Sequence, residues 1–156
     1  MIHNTSLRRG FTLIELLVVV AILGILAAVG LGQFHTAQKR GRDAQRKENL
    51  ASVTKALEMY YNDYGQYPSS AFLVWGQELK DAKGTVYMKQ LPDNPADNFQ
   101  YFYKSKGEGA EYALYALLEH SQDQDIGGPY GGTDCQTEAG NQFCNYCLAS
   151  PNAKCE

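Results

Sequence analysis

The chain has 156 residues, room for one domain with little left for a second. Charged residues make up 20% and the formal net charge is −3, a balance that gives no compositional reason to expect nucleic-acid binding. Apolar residues are unevenly spread: Phe11 to Leu31 is almost wholly apolar, the chain beyond Gln33 has the mixture of a soluble protein, and all four cysteines fall in the last stretch.

The chain opens on a polar leader, residues 1–10, ending Leu7-Arg8-Arg9-Gly10. An apolar segment, 11–32, follows. Twenty-one residues of helix rise about 31 Å, enough to cross the hydrocarbon core of a bilayer. Such a run exceeds the roughly 7–15 apolar residues of a signal peptide, so an ordinary secretory leader cut near Ala27-Ala28 is the weaker reading. Glu15 is the exception inside the run. A carboxylate at the centre of a spanning helix costs about 2.5–3.5 kcal/mol on insertion scales, so an acid there reads as functional and calls for a positive partner. Scission between Gly10 and Phe11 creates one: an α-amino group one helical turn from Glu15, or beside the Glu15 of a neighbouring copy.

Arg9-Gly10-Phe11-Thr12-Leu13-Ile14-Glu15, followed at once by an apolar helix, resembles the prepilin processing motif of type IV pilins, type II secretion pseudopilins and competence pilins. In that family a prepilin peptidase cuts after the Gly, the new N-terminal Phe is N-methylated, and the Glu neutralises a terminal amine during assembly. The resemblance therefore implies cleavage at Gly10 and Phe11, N-methylation of Phe11 and charge neutralisation by Glu15. A residue without Cβ before the cut lets a protease approach the backbone closely. The resemblance further implies an assembly ATPase and an inner-membrane platform, lipid around the helix before assembly, and a helical homopolymer of the chain itself afterwards. Lys39, Arg40, Arg42, Arg46 and Lys47 beyond the apolar segment outnumber Arg8 and Arg9 before it, which by the positive-inside rule favours a cytoplasmic C-terminus. The processing motif and the disulfide-capable cysteines, which need an oxidising exterior, outweigh that count.

From Gln33 to Asp63 no proline occurs, and Leu50, Val53, Leu57, Tyr60 or Tyr61 and Tyr64 recur at three- and four-residue intervals. This predicts one long helix, apolar all round at first and amphipathic over 33–64, with Gly24, Gly30, Gly32 and Gly41 as places where it can bend. Gly65 and Pro68 end it. Phe99–Lys104 and Glu111–Leu118 read as strands flanking a hairpin connection at Ser105–Gly109, and Leu91-Pro92-Asp93-Asn94-Pro95 as a turn-rich loop. A third short strand is expected near Phe143 to Leu148. The fold class is then α+β: a long N-terminal helix packed on a small antiparallel sheet within a globular part spanning 33–156, with a cysteine-bearing tail. The helix end Ala56–Pro68 and the loop Tyr87–Pro95 resemble their pilin and major-pseudopilin counterparts; the chain departs from many members at Gly32, where a proline often kinks the helix.

The tail carries Cys135, Cys144, Cys147 and Cys155. Cys144-x-x-Cys147 alone admits zinc or redox chemistry, but a four-cysteine zinc site uses two close pairs and only one is present. Two disulfides are the preferred reading, each worth about 2–4 kcal/mol to a segment poor in apolar surface, with three pairings open. Asp123, Asp125, Asp134 and Glu138 are calcium candidates, since calcium takes carboxylate and carbonyl oxygens from flexible loops. Major pseudopilins hold calcium in a comparable loop, although the residues here do not match it position by position; a solvated acidic loop is preferred, and no cofactor is required. The basic run Lys39–Lys47 reads as a solvated helix face partly paired with Asp43 and Glu48, and Tyr60, Tyr61, Tyr64, Tyr67 and the aromatics from Phe99 to Tyr103 as core between helix and sheet. His3, His35 and His120 lack a nucleophile or ligand at useful spacing, so no catalytic constellation emerges and no enzyme is expected.

The resulting expectation is a structural filament subunit, held in the inner membrane as precursor and extracellular once assembled. A type IV pilus subunit is slightly preferred on its cysteine-bearing tail; a type II secretion pseudopilin and a membrane-anchored binding protein that never polymerises are the alternatives.

Overall fold

The computed structural model describes residues 10–96, 99–130 and 143–155. The chain forms two compact units, Met1–Gln38 and Lys39–Glu156. One helix, α1 (Leu13–Tyr64, 52 residues), runs through both and passes all four glycines without a break. It stops where the sequence has Gly65, whose φ of +67° is open to a residue without Cβ and whose N–H closes the last turn on Tyr61 O at 2.7 Å.

In the first unit α1 exposes Leu13, Ile14, Leu16, Leu17, Val18, Val19, Val20, Ile22, Leu23, Ile25 and Leu26, which lie on every side of it. A helix apolar all round needs an apolar surrounding, lipid or other helices. It is long and apolar enough to cross a membrane.

In the second unit α1 buries one stripe, Asp43, Arg46, Leu50, Val53, Ala56 and Leu57, spaced at helical intervals of three and four. Among the described residues five strands follow: β1 (Leu79–Lys80), β2 (Val86–Met88), β3 (Phe102–Lys106), β4 (Glu111–Ala116) and β5 (Tyr146–Ala149). β1 and β2 form an antiparallel pair of their own, while β3, β4 and β5 make a three-stranded antiparallel sheet with β4 central. The register sets Tyr103 opposite Leu114 and Ser105 opposite Tyr112 on one side of β4, and Leu114 opposite Leu148 on the other.

β4 is buried on both faces, and the period of two sorts its side chains into two cores. Tyr112, Leu114 and Ala116 join Leu50, Val53 and Leu57 of α1, with Tyr103 of β3 and Tyr146 of β5. Ala113 and Tyr115 point the other way, to Phe99 and Cys144, with Phe102, Leu117, Tyr130, Cys147 and Ala149 around them. The run Tyr112-Ala113-Leu114-Tyr115-Ala116 is continuous in apolar and aromatic character because two layers need it. The expected tyrosine core is met in part: Tyr67, Tyr101 and Tyr103 are buried, but Tyr61 is exposed and Tyr60 and Tyr64 are only half-buried at the end of α1, while Tyr112, Tyr115 and Tyr146 supply buried rings from β4 and β5.

The strand boundaries differ from expectation in detail. β3 begins at Phe102 rather than Phe99, and β4 ends at Ala116 rather than Leu118, where Asn145 takes the Leu118 N–H on its Oδ1 at 2.7 Å and gives a bond to Leu118 O at 3.0 Å. The third strand is present but spans Tyr146–Ala149, beyond an isolated bridge between Tyr130 and Cys144. β1 lies in chain for which no element is predicted, and β2 runs into the Tyr87–Pro95 segment read as loop. Their connection is organised by Asp81, which accepts the N–H groups of Lys83 at 2.9 Å and Thr85 at 2.7 Å and the hydroxyl of Tyr64 from the end of α1 at 2.8 Å. Gly109 lies between β3 and β4 at φ +91°, where a Cβ would meet Tyr67 O at 2.6 Å; only glycine fits the chain there.

Cys147 of β5 is disulfide-bonded to Cys155, with Cα atoms 6.0 Å apart. Cys144 is disulfide-bonded as well. Cys135 lies outside the described residues, as do the calcium candidates Asp134 and Glu138 and the leader up to Arg9.

Candidate functional site

The first site is the turn that opens α1. Gly10 and Phe11 are exposed and precede the helix, and the space where a Gly10 Cβ would stand holds no other atom within 4 Å. Thr12 starts the helix: its carbonyl accepts the first helical bond from Leu16 N at 3.3 Å. Its side chain and that of Glu15 cap each other. Glu15 N–H donates to Thr12 Oγ1 at 3.3 Å, while Glu15 Oε2 accepts from Thr12 N at 2.9 Å and from Thr12 Oγ1 at 2.7 Å. This is a reciprocal capping box, Thr at the N-cap and Glu three residues on. The carboxylate also faces the positive end of the helix dipole.

The capping box explains how an acid is held at the head of an apolar helix: it has local donors before any partner arrives. It also holds the carboxylate against the backbone N–H and hydroxyl of Thr12 at the first turn of the helix. Thr12 is the site residue that the motif reading passes over, although the spacing Thr12-x-x-Glu15 announces it.

The second site is a polar clamp in the globular unit. Arg46 is 2% exposed and Asp43 1%, so the expectation of a solvated basic face fails at the centre of the run. Arg46 donates to Asp43 Oδ1 at 2.7 Å, to Glu119 Oε1 at 2.6 Å and to Asn94 Oδ1 at 3.1 Å. Arg42 donates to both oxygens of Glu119, one at 2.8 Å. Asp43 in turn accepts the backbone N–H of Glu119 at 2.9 Å and of His120 at 2.8 Å. A buried charge is tolerated only when so surrounded. The clamp ties α1 to the Leu91–Pro95 loop and to the chain leaving β4. The Arg42 guanidinium, against burial and with help from Arg46, brings the Glu119 carboxyl from its ordinary 4.5 to about 2.

The signal for this burial is in the sequence. Leu57, Val53 and Leu50 define a stripe, and its continuation toward the N-terminus lands on Arg46 and then Asp43. Charge makes those positions look solvated; spacing makes them core.

Beside the clamp, Lys47 Nζ donates to Asp123 Oδ1 and Asp125 Oδ2, both at 2.6 Å. The two described calcium candidates thus already share a cation. Among the described residues no three His, Cys, Asp or Glu side chains gather as a metal site. Arg40 donates to His120 Nε2 at 3.3 Å at the edge of the same region.

Residues 5–31 match the prokaryotic N-terminal methylation motif, and residues 33–136 match the type II secretion system protein G family. The type II secretion system core protein G of Pseudomonas aeruginosa is 34% identical over 86% of this chain and 94% of its own length. The type IV major pilin of Myxococcus xanthus is 41% identical over 56% of this chain and 44% of its own. The type IV wide pilus major component of Thermus thermophilus is 40% identical over 50% of this chain and 60% of its own. No solved structure is matched.

Proposed function

This chain belongs to the type II secretion protein G family of pilins and pseudopilins, a family of structural filament subunits, and we propose that it is the main subunit of a secretion-type pseudopilus. The observation that carries this choice is the reach of the similarity. Secretion core protein G aligns over 86% of the chain and 94% of its own length, whereas the two pilins align over 56% and 50% of the chain. A pilus subunit is the second reading, favoured by the higher identity of the pilins over the shared part.

In either filament the N-terminal turn acts in the same way. A prepilin peptidase cuts between Gly10 and Phe11, and the new amine on Phe11 is methylated. As precursor the chain sits in the membrane by the first part of α1. During assembly that apolar surface exchanges lipid for the helices of neighbouring copies. The Glu15 carboxylate, shaped by Thr12, then meets the Phe11 amine of an adjacent copy. A desolvated charge pair of this kind costs heavily when unmatched, so it selects the axial register at which every copy is paired. The platform and ATPase of the secretion machinery supply the work.

Deleting the gene separates the two filament readings. Accumulation of exoproteins in the periplasm with surface fibres unchanged supports the pseudopilus; loss of long surface fibres with secretion intact supports the pilus.

A further inference from the structure

The acidic turn after β4 has an occupant that comes from the chain itself. Asp123 N donates to His120 O at 2.9 Å and Ile126 N to Asp123 O at 3.3 Å, so the segment is folded into successive tight turns. Asp123 Oδ1 is pinned by the Asp125 N–H at 3.0 Å, which aims it at the same point as Asp125 Oδ2. At that point lies the Lys47 ammonium, 2.6 Å from each oxygen and 5.7 Å above the Tyr146 ring. Arg40 and His120 line the same depression, so a second positive group faces any incoming ion. A divalent calcium needs six to eight oxygens. Here the two described carboxylates are committed to an ammonium, and the field beside them is already positive.

We propose that Lys47 is the resident cation of the 120–126 turn, so that this subunit orders its acidic loop without calcium. Among the described residues the donor set does not fit calcium, the ion that major pseudopilins hold in a comparable loop. The lysine stem reaches from α1, one residue past buried Arg46, and anchors the turn directly to the helix. Burial alone would lower the ammonium's pKa, but the bonds to Asp123 and Asp125 outweigh it and the net shift is upward, so the charge is held through the physiological range.

The test is thermal unfolding of the full-length chain in detergent micelles, with calcium chloride at millimolar concentration or with EDTA. The expected result is the same Tm in both. Lys47→Gln is expected to melt several degrees lower, and Lys47→Arg close to the parent. Should Lys47→Gln fail to accumulate, Asp125→Asn removes only the more exposed partner and is expected to lower Tm without introducing a calcium response. A parent chain whose Tm rises with calcium and falls with EDTA overturns the proposal, as does a Lys47→Gln chain that melts like the parent.

Discussion

Asp43→Ala is the substitution that most directly probes the clamp. Asp43 is buried, and its carboxylate accepts Arg46 Nη1 at 2.7 Å, Glu119 N at 2.9 Å and His120 N at 2.8 Å. Alanine removes both acceptor oxygens, and three donors lose their partner at once. Each donor left without a partner costs about 1–3 kcal/mol, and the two backbone groups, being only partly buried, belong near the lower end. Arg46 keeps Glu119 and Asn94, which limits its share. The sum is about 3–5 kcal/mol, the range found on removing one member of a buried ion pair. For a unit of this size that lowers Tm by about 10–20 °C. Asp43→Asn keeps one acceptor oxygen and should lose about half as much. Urea unfolding of the full chain in detergent, followed by circular dichroism with the m-value held constant, reads both. A loss below about 1 kcal/mol for Asp43→Ala would refute the clamp as a source of stability, because no rearrangement of solvent replaces three converging bonds at a buried carboxylate.

Glu119 gives the pH dependence. Its folded pKa of about 2 lies below the ordinary 4.5, so the stability it confers is present above pH 4.5 and drains away as pH falls toward 2; in Glu119→Gln the acid limb of Tm against pH flattens over that window. Reduction of the Cys147–Cys155 bridge, or Cys147→Ser with Cys155→Ser, should cost about 2–4 kcal/mol and loosen β5 first, seen as faster amide exchange at Tyr146–Ala149 than in β3. Gly109→Ala forces a Cβ to within 2.6 Å of Tyr67 O in a left-handed conformation, and a chain as stable as the parent in urea would contradict the described turn. Thr12→Val, which keeps shape but removes the hydroxyl, is expected to preserve membrane insertion and lower filament yield in sheared fractions, whereas Thr12→Ser restores it.

What sequence reveals here follows the range of the interaction. The end of α1 is local, a helical period running into Gly65, and is legible to the residue. β4 is legible because its aromatic run has the length of a strand, and its double-sided burial explains why alternation is missing. β1 and β2 escape because two- and three-residue strands show no period, and what holds them is Asp81 meeting Tyr64 across 17 positions of chain. Arg46 escapes because Glu119, which with Asp43 neutralises it inside the core, lies 73 residues away, and a basic run paired only along its own helix reads as solvated. The opening of α1 is legible as a motif naming Gly10, Phe11 and Glu15; Thr12, announced only by the spacing Thr12-x-x-Glu15, emerges in the structure as the group that positions the carboxylate.

The measurement closest to the central claim is the mass of the mature N-terminus in filaments sheared from cells making this protein. The expected result is chains beginning at N-methylated Phe11 in a sedimentable fibre, and Glu15→Leu chains that are trimmed and membrane-bound but absent from that fibre. Sheared filaments built of chains that retain Met1, or that begin near Val29, would contradict it.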